Sequence, residues 1–170
     1  MFGRRVRSTP DGENLPPVNL RAKAIGYLAR REYSRAELLT KLGRFSTDKA
    51  AIEALLDALT SENLLSERRA AQSIVRARSD RQGATRMAGE LRARGISNEL
   101  AEEVLRDLKA TEVARALALW ERKFGAAAID AQSRARQMRF LHTRGFSTDV
   151  IRAVVPAMAF LARKEGAVSD

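Results

Sequence analysis

The chain has 170 residues, 45% of them hydrophobic, and its 31 Lys and Arg against 21 Asp and Glu give a net charge of +10. That size suits one or two compact domains or a short repeat array, and the charge calls for a polyanion or an acidic protein surface as partner. The lack of Cys excludes a disulfide framework, a thiol nucleophile and a thiolate metal site, and no run approaches the ~18–20 apolar residues of a membrane span.

Residues 1–18 hold Gly3, Pro10, Gly12, Pro16 and Pro17 among small polar residues, a composition that buries little apolar surface and predicts a disordered basic arm. The opening Met1-Phe2-Gly3-Arg4-Arg5-Val6-Arg7 has no apolar run behind it, so it does not read as a signal peptide, and a cytoplasmic protein is expected. A first repeat is expected over 19–65. Its first helix is predicted over 21–33, with Leu20, Ala24, Leu28 and Ala29 on one face. Ser34-Arg35-Ala36-Glu37 then forms a capping box for a second helix through Leu42, and Asp48 caps a third to about Glu62.

A second repeat is expected over 66–110. Its first helix carries Ala70, Ile74 and Val75 and ends near Asp80; Gly83 precedes a helix through Met87 and Leu91. Gly95 stands where a left-handed residue ends a helix, and Ser97 caps the next, to about Lys109. A third repeat, 111–165, opens with Val113, Leu117 and Trp120 on one helix face and continues with a helix over 130–143. Gly145 marks a second left-handed stop, and Ser147 caps a last helix, predicted to reach about Arg163 with a kink at Pro156. Residues 166–170 are expected to fray.

The three units share one register. Leu42–Asp48, Leu91–Ser97 and Leu141–Ser147 are anchors in which Leu precedes the capping residue by six, and the caps lie 49 and 50 residues apart. Apolar residues follow each cap at +3, +4, +7, +8 and +11: Ala51, Ile52, Leu55, Leu56 and Leu59; Leu100, Ala101, Val104, Leu105 and Leu108; Val150, Ile151, Val154, Val155 and Met158. The expected fold is therefore all-α, three tandem three-helix repeats in an elongated, curved array.

Catalytic chemistry has little material. His142 is the single histidine, on a basic helix, and no phosphate-binding Gly-x-x-x-x-Gly-Lys-Ser/Thr or Gly-x-Gly-x-x-Gly loop occurs. Glu99, Glu102 and Glu103 suit the N-terminal dipole of their helix rather than a metal. No cofactor is expected, and the chain reads as a non-enzyme. The basic residues are better organised: between Arg68 and Arg94 there are eight Arg against Asp80 and Glu90, and Arg134, Arg136, Arg139 and Arg144 follow with no acid from Ala131 to Thr148. Third helices run acidic instead, through Asp48, Glu53, Asp57 and Glu62, then Glu99, Glu102, Glu103 and Asp107. Such segregation predicts a basic stripe able to meet carboxylates or phosphates bidentately. Tyr27, Tyr33, Trp120, Phe124, Phe140 and Phe146 are assigned mostly to the core, which leaves few aromatics for stacking on bases.

Three segments carry a family resemblance. Tyr27-Leu28-Ala29-Arg30-Arg31 with Ser34-Arg35-Ala36-Glu37-Leu38 and Lys41-Leu42 resembles the opening repeat of RecX, the regulator of the RecA recombinase. Gly83-Ala84-Thr85-Arg86-Met87 with Glu90-Leu91-Arg92-Ala93-Arg94-Gly95-Ile96-Ser97 is similar to its central signature. Trp120-Glu121-Arg122-Lys123-Phe124-Gly125, Arg139-Phe140-Leu141 and Arg144-Gly145-Phe146-Ser147 look like its third repeat. Arg69, Ser73 and Gln82 stand where the family commonly has aromatics. The resemblance implies a cytoplasmic protein that binds along the groove of a RecA–single-stranded-DNA filament, bridges neighbouring protomers and limits ATPase, strand exchange and growth; a monomer is expected, with weak direct DNA binding left open. The residues expected to pair with RecA or DNA phosphate are Arg76, Arg78, Arg81, Arg86, Arg92 and Arg94, then Lys123, Arg134, Arg136, Arg139 and Arg144. The competing readings are a basic nucleic-acid-binding repeat protein that needs no recombinase, and a structural adaptor.

Overall fold

The structure is a computed structural model and describes residues 19–155; the expected arm 1–18, the helix beyond Val155 with its kink at Pro156, Met158 and the tail 166–170 lie outside the described residues. These hold nine helices and no strand: α1 Leu20–Leu28, α2 Arg35–Leu42, α3 Lys49–Ser61, α4 Glu67–Arg78, α5 Ala84–Ala93, α6 Asn98–Ala110, α7 Glu112–Lys123, α8 Ala131–Thr143 and α9 Thr148–Val154. The fold is an all-α repeat array.

Local chemistry starts most of these helices. Ser66, Ser97 and Ser147 each accept the N–H three residues on, and Asp48 accepts that of Ala51, removing one orphan donor from the first turn. Both halves of the Ser34–Glu37 capping box are formed, and Asp130 with Ser133 forms another at the start of α8. Gly95 and Gly145 take φ of 78° and 81°, a conformation glycine adopts without a Cβ penalty.

Hydrophobic burial divides the chain into three cores, each confined to one triplet of helices. The first gathers Ala24, Leu38, Leu42, Ile52, Leu56 and Leu59. The second is built on Ala71, Met87, Leu91, Ala101 and Leu105, and the third on Ala116, Trp120, Leu141, Phe146, Ile151 and Val155. The shared register appears as shared burial: at +4 and +8 from the caps, Ile52, Leu56, Ala101, Leu105, Ile151 and Val155 are all buried. At +3 and +7, Leu100, Val104 and Val150 are half-buried, as is Leu55.

Two expectations are corrected. The first helix ends at Leu28, not Tyr33; Ala29 is exposed, and Tyr33 turns back into the core edge-on to Tyr27 at 5.9 Å. Val113 and Leu117 are 48% and 39% exposed, and α7 instead buries Glu112, Ala116, Leu119 and Trp120. Within the described residues α9 runs to Val154, and Val155 is extended at ψ 107°, as a residue before proline prefers because the ring crowds it out of the α region.

Consecutive repeats meet through their second helices. The turn after α5 sits on the start of α2: Ser34 Oγ donates to the Arg94 carbonyl at 2.5 Å, and a Cβ on Gly95 would come within 2.5 Å of Ala36 Cβ. The turn after α8 sits on the start of α5 in the same way, with the Gly83 N–H donating to the Arg144 carbonyl at 2.9 Å. There backbone touches backbone: a Cβ on Gly83 would lie 2.5 Å from Phe146 N and closer still to the Gly145 carbonyl.

Candidate partner-binding surface

The charges that look segregated in sequence are in part laced to one another. Arg21 grips Glu62 with two bonds of 3.0 and 2.6 Å, Arg68 grips Glu103 at 2.6 and 2.8 Å, and Arg35 pairs with Glu53 and, at 2.7 Å, Asp57. Basic first and second helices therefore hold acidic third helices within repeats one and two. Hydrogen bonds from these guanidiniums hold the Glu62 and Glu103 carboxyls below the ordinary carboxylate range.

Three of the eleven expected contact residues belong to this internal set. Arg94 pairs with Glu37 at 2.8 Å and Glu90 at 3.0 Å, which makes it the clasp between repeats one and two. Burial works to raise the Glu37 carboxyl, but hydrogen bonds from Arg31 and the Ser34 backbone, with the Arg94 charge, outweigh it and leave it lowered. Arg78 pairs with the other oxygen of Glu90. Arg86 donates to the Thr143 carbonyl at 2.9 Å, tying α5 to the end of α8. Each of these three is thus engaged by groups of its own chain.

Other joint residues carry no motif that would reveal them. Arg69 donates to Glu32 at 2.8 Å and to Asn63 and Leu64, a polar clasp between the start of α4 and repeat one. Glu112 reaches across the second joint to accept the Ala84 N–H at 2.7 Å, supplying the cap that Gly83 cannot. Arg115 closes the same joint with bonds to the Ser79, Gln82 and Leu108 carbonyls; burial lowers its affinity for the proton, against the pull of Glu112 and Asp80.

The side chains of the remaining expected cations form none of the joint bonds described above. Arg76 is exposed on α4 beside a hollow lined by Glu103 and Asp107, and Arg92 is exposed on α5 beside another that includes Glu102 and Glu112. Arg136 and Arg139 are exposed on α8, where Arg134 is half-buried. Arg81, Lys123 and Arg144 come together. With Arg122, which the charge pattern passed over, they line a groove of about 440 Å³ completed by Leu119 and Phe140. The ends of α4, α7 and α8 converge there, and the partial negative charge of helix C-termini lets four cations gather without a carboxylate.

Two family models match this chain, RecX second three-helix domain over residues 66–105 and RecX third three-helix domain over 110–155. Regulatory protein RecX of Ralstonia nicotianae is 45% identical over 82% of this chain and 87% of its own length. The chain belongs to the RecX family. Regulatory protein RecX of Herminiimonas arsenicoxydans is 46% identical over 82% of the chain and 93% of its own length. The crystal structure of RecX from Lactobacillus salivarius matches the fold with a TM-score of 0.69, over 83% of this chain and 95% of that one, at 21% identity. A second RecX crystal structure matches with a TM-score of 0.62 at 23% identity, over 80% of this chain and 73% of that one. Membership gives the joints a common purpose: Gly83, Arg94, Gly95 and Gly145, drawn from the family-like segments, are the residues on which one repeat seats against the next. Among the described residues no group of His, Asp and Glu is placed to hold a metal, and no helix is long and apolar enough to cross a membrane.

Proposed function

We propose that this chain regulates RecA without catalysis, lying as a cytoplasmic monomer in the groove of the RecA–single-stranded-DNA filament and limiting its ATPase, strand exchange and growth. The observation that supports this reading is the set of exposed cations that form none of the joint bonds. Arg76, Arg92, Arg136 and Arg139 stand on two repeats tied together by the hydrogen bonds of Glu112 and Arg115. A ligand that spans several protomers gains affinity from simultaneous contacts only if its spacing is rigid, and the joints supply that rigidity. Guanidiniums then pair with carboxylates of successive protomers, so release of one contact does not release the chain.

The test is RecA ATPase on single-stranded DNA titrated with the protein. Wild type should lower the rate. A triple variant Arg92→Glu, Arg136→Glu, Arg139→Glu, at positions whose side chains form none of the joint bonds, should keep its helical spectrum and lose the inhibition. Full inhibition by the folded triple variant would refute the surface assignment. Replacing Arg94 as well would confuse the result, because its two ion pairs hold repeat one to repeat two.

A further inference from the structure

The groove between the second and third repeats has features that pairing with a protein surface does not use. Its lining is Arg81, Leu119, Arg122, Lys123, Phe140 and Arg144: four cations, two apolar side chains and no acid. None of the four cations makes an ion pair with a described carboxylate, whereas the hollows beside Arg76 and Arg92 each carry acids of their own. Phe140 is half-buried, braced edge-on by Phe124 with centroids 5.3 Å apart at 90°, and the Arg144 guanidinium lies 5.0 Å from its centroid. The braced ring and the guanidinium beside it thus share one groove with three further cations.

We infer that this groove binds single-stranded nucleic acid directly, with Arg81, Arg122 and Lys123 on successive phosphates and one base stacked at the Phe140–Arg144 pair. Two features favour a strand over an acidic peptide. A flat π-face is matched by a base and not by a carboxylate side chain, and stacking is tolerant of sequence because every base has such a face. A concave site also admits the flexible backbone of a single strand, whereas a duplex keeps its bases stacked away from the ring. The inference deepens the proposed reading, since it rests on exposed cations serving a partner, and it gives this groove the DNA of the filament while the exposed cations of α5 and α8 keep the protein.

The experiment needs no recombinase. Full-length protein is titrated into fluorescein-labelled oligothymidylate of about a dozen residues, followed by anisotropy across a salt series. Wild type should bind, and bind a duplex of equal length more weakly. Arg122→Gln with Lys123→Gln should weaken binding at least tenfold and reduce the log–log salt slope by about 1.4, two phosphates at ~0.7 each. Phe140→Leu, which keeps an apolar side chain on the core, should weaken binding about fivefold or more with the slope unchanged. A control with the same charge change, Arg44→Gln with Lys49→Gln on repeat one, should bind as wild type. Equal loss in control and groove variants, or a polyglutamate competing as well as unlabelled strand, would overturn the inference, as would no binding at low salt. If strand binding passes these tests while wild type fails to slow RecA ATPase, the groove stands and the proposed function falls; the converse result removes the groove alone.

Discussion

Gly83→Ser isolates the joint between repeats two and three. Gly83 has φ of −81° and ψ of 165°, extended backbone open to any residue, so no dihedral strain is introduced. Serine is the better N-cap by a few tenths of a kcal/mol, and Ser34 fills the matching position of α2. Every local consideration therefore favours the substitution. Against it, the new Cβ falls 2.5 Å from Phe146 N and closer to the Gly145 carbonyl, both backbone groups with no rotamer to retreat into. The α8–α9 turn must move by about an ångström to restore ordinary contact. That motion breaks the Gly83–Arg144 backbone bond and the Arg86–Thr143 bond, both 2.9 Å. One neutral bond at ~1 kcal/mol and one charge-assisted bond at ~1.5–3 give a loss of about 3 kcal/mol after the cap gain. For a chain of this size that lowers Tm by about 6–12 °C. Thermal melts followed by circular dichroism measure it, and amide exchange at Gly83 and Ala84 should rise. A variant as stable as wild type would refute the claim that backbone contact sets the joint.

Other outcomes follow from the same contacts. Gly26→Ala should stabilise the protein by about 0.5–1 kcal/mol in urea denaturation, because Gly26 sits inside α1 with nothing within 4 Å of a new Cβ. Gln82→Met should stabilise by about 1 kcal/mol in the same assay, since the Gln82 Oε1 is buried without a hydrogen-bond partner. Glu37, Glu62 and Glu103 hold protons less readily folded than unfolded, so their contribution is present above the unfolded carboxylate value near 4.3 and should drain away as pH falls below it through the folded values. Melting temperature against pH should show that decline, and Glu37→Gln should shallow it.

What the sequence made legible was local. N-caps at Ser34, Asp48, Ser97 and Ser147 depend on one side chain and a nearby N–H, and left-handed Gly95 and Gly145 on the residue itself. The face of α7 was not legible. Val113, Ala114, Ala116, Leu117, Ala118, Leu119 and Trp120 leave it apolar nearly all round, so periodicity could not choose. The side that won includes a carboxylate, because Glu112 serves the N-terminus of another helix. The contact residues show the same division. Abundance of arginine was plain, but whether Arg94 was free depended on Glu37, 57 residues away. Arg122 was hidden for the opposite reason, since its neighbours in the groove come from three different helix ends.

The recurring seat between second helices also bears on how long such an array can grow. Each interior seat uses a turn whose glycine has positive φ, two residues before the next cap. In repeat one that place belongs to Ser46, and Asn63 is the sole non-glycine residue with positive φ among those described. At the two seats the start of the second helix offers a donor to the incoming turn: the Ser34 hydroxyl, free to donate although its capping box is closed, and the Gly83 N–H. The start of α8 differs, because an ionised Asp130 has no proton to donate and its N–H is already bonded to the Ser133 hydroxyl. Seating a further unit in the same manner would therefore call for Ser46→Gly on repeat one, or a free donor in place of Asp130 on repeat three.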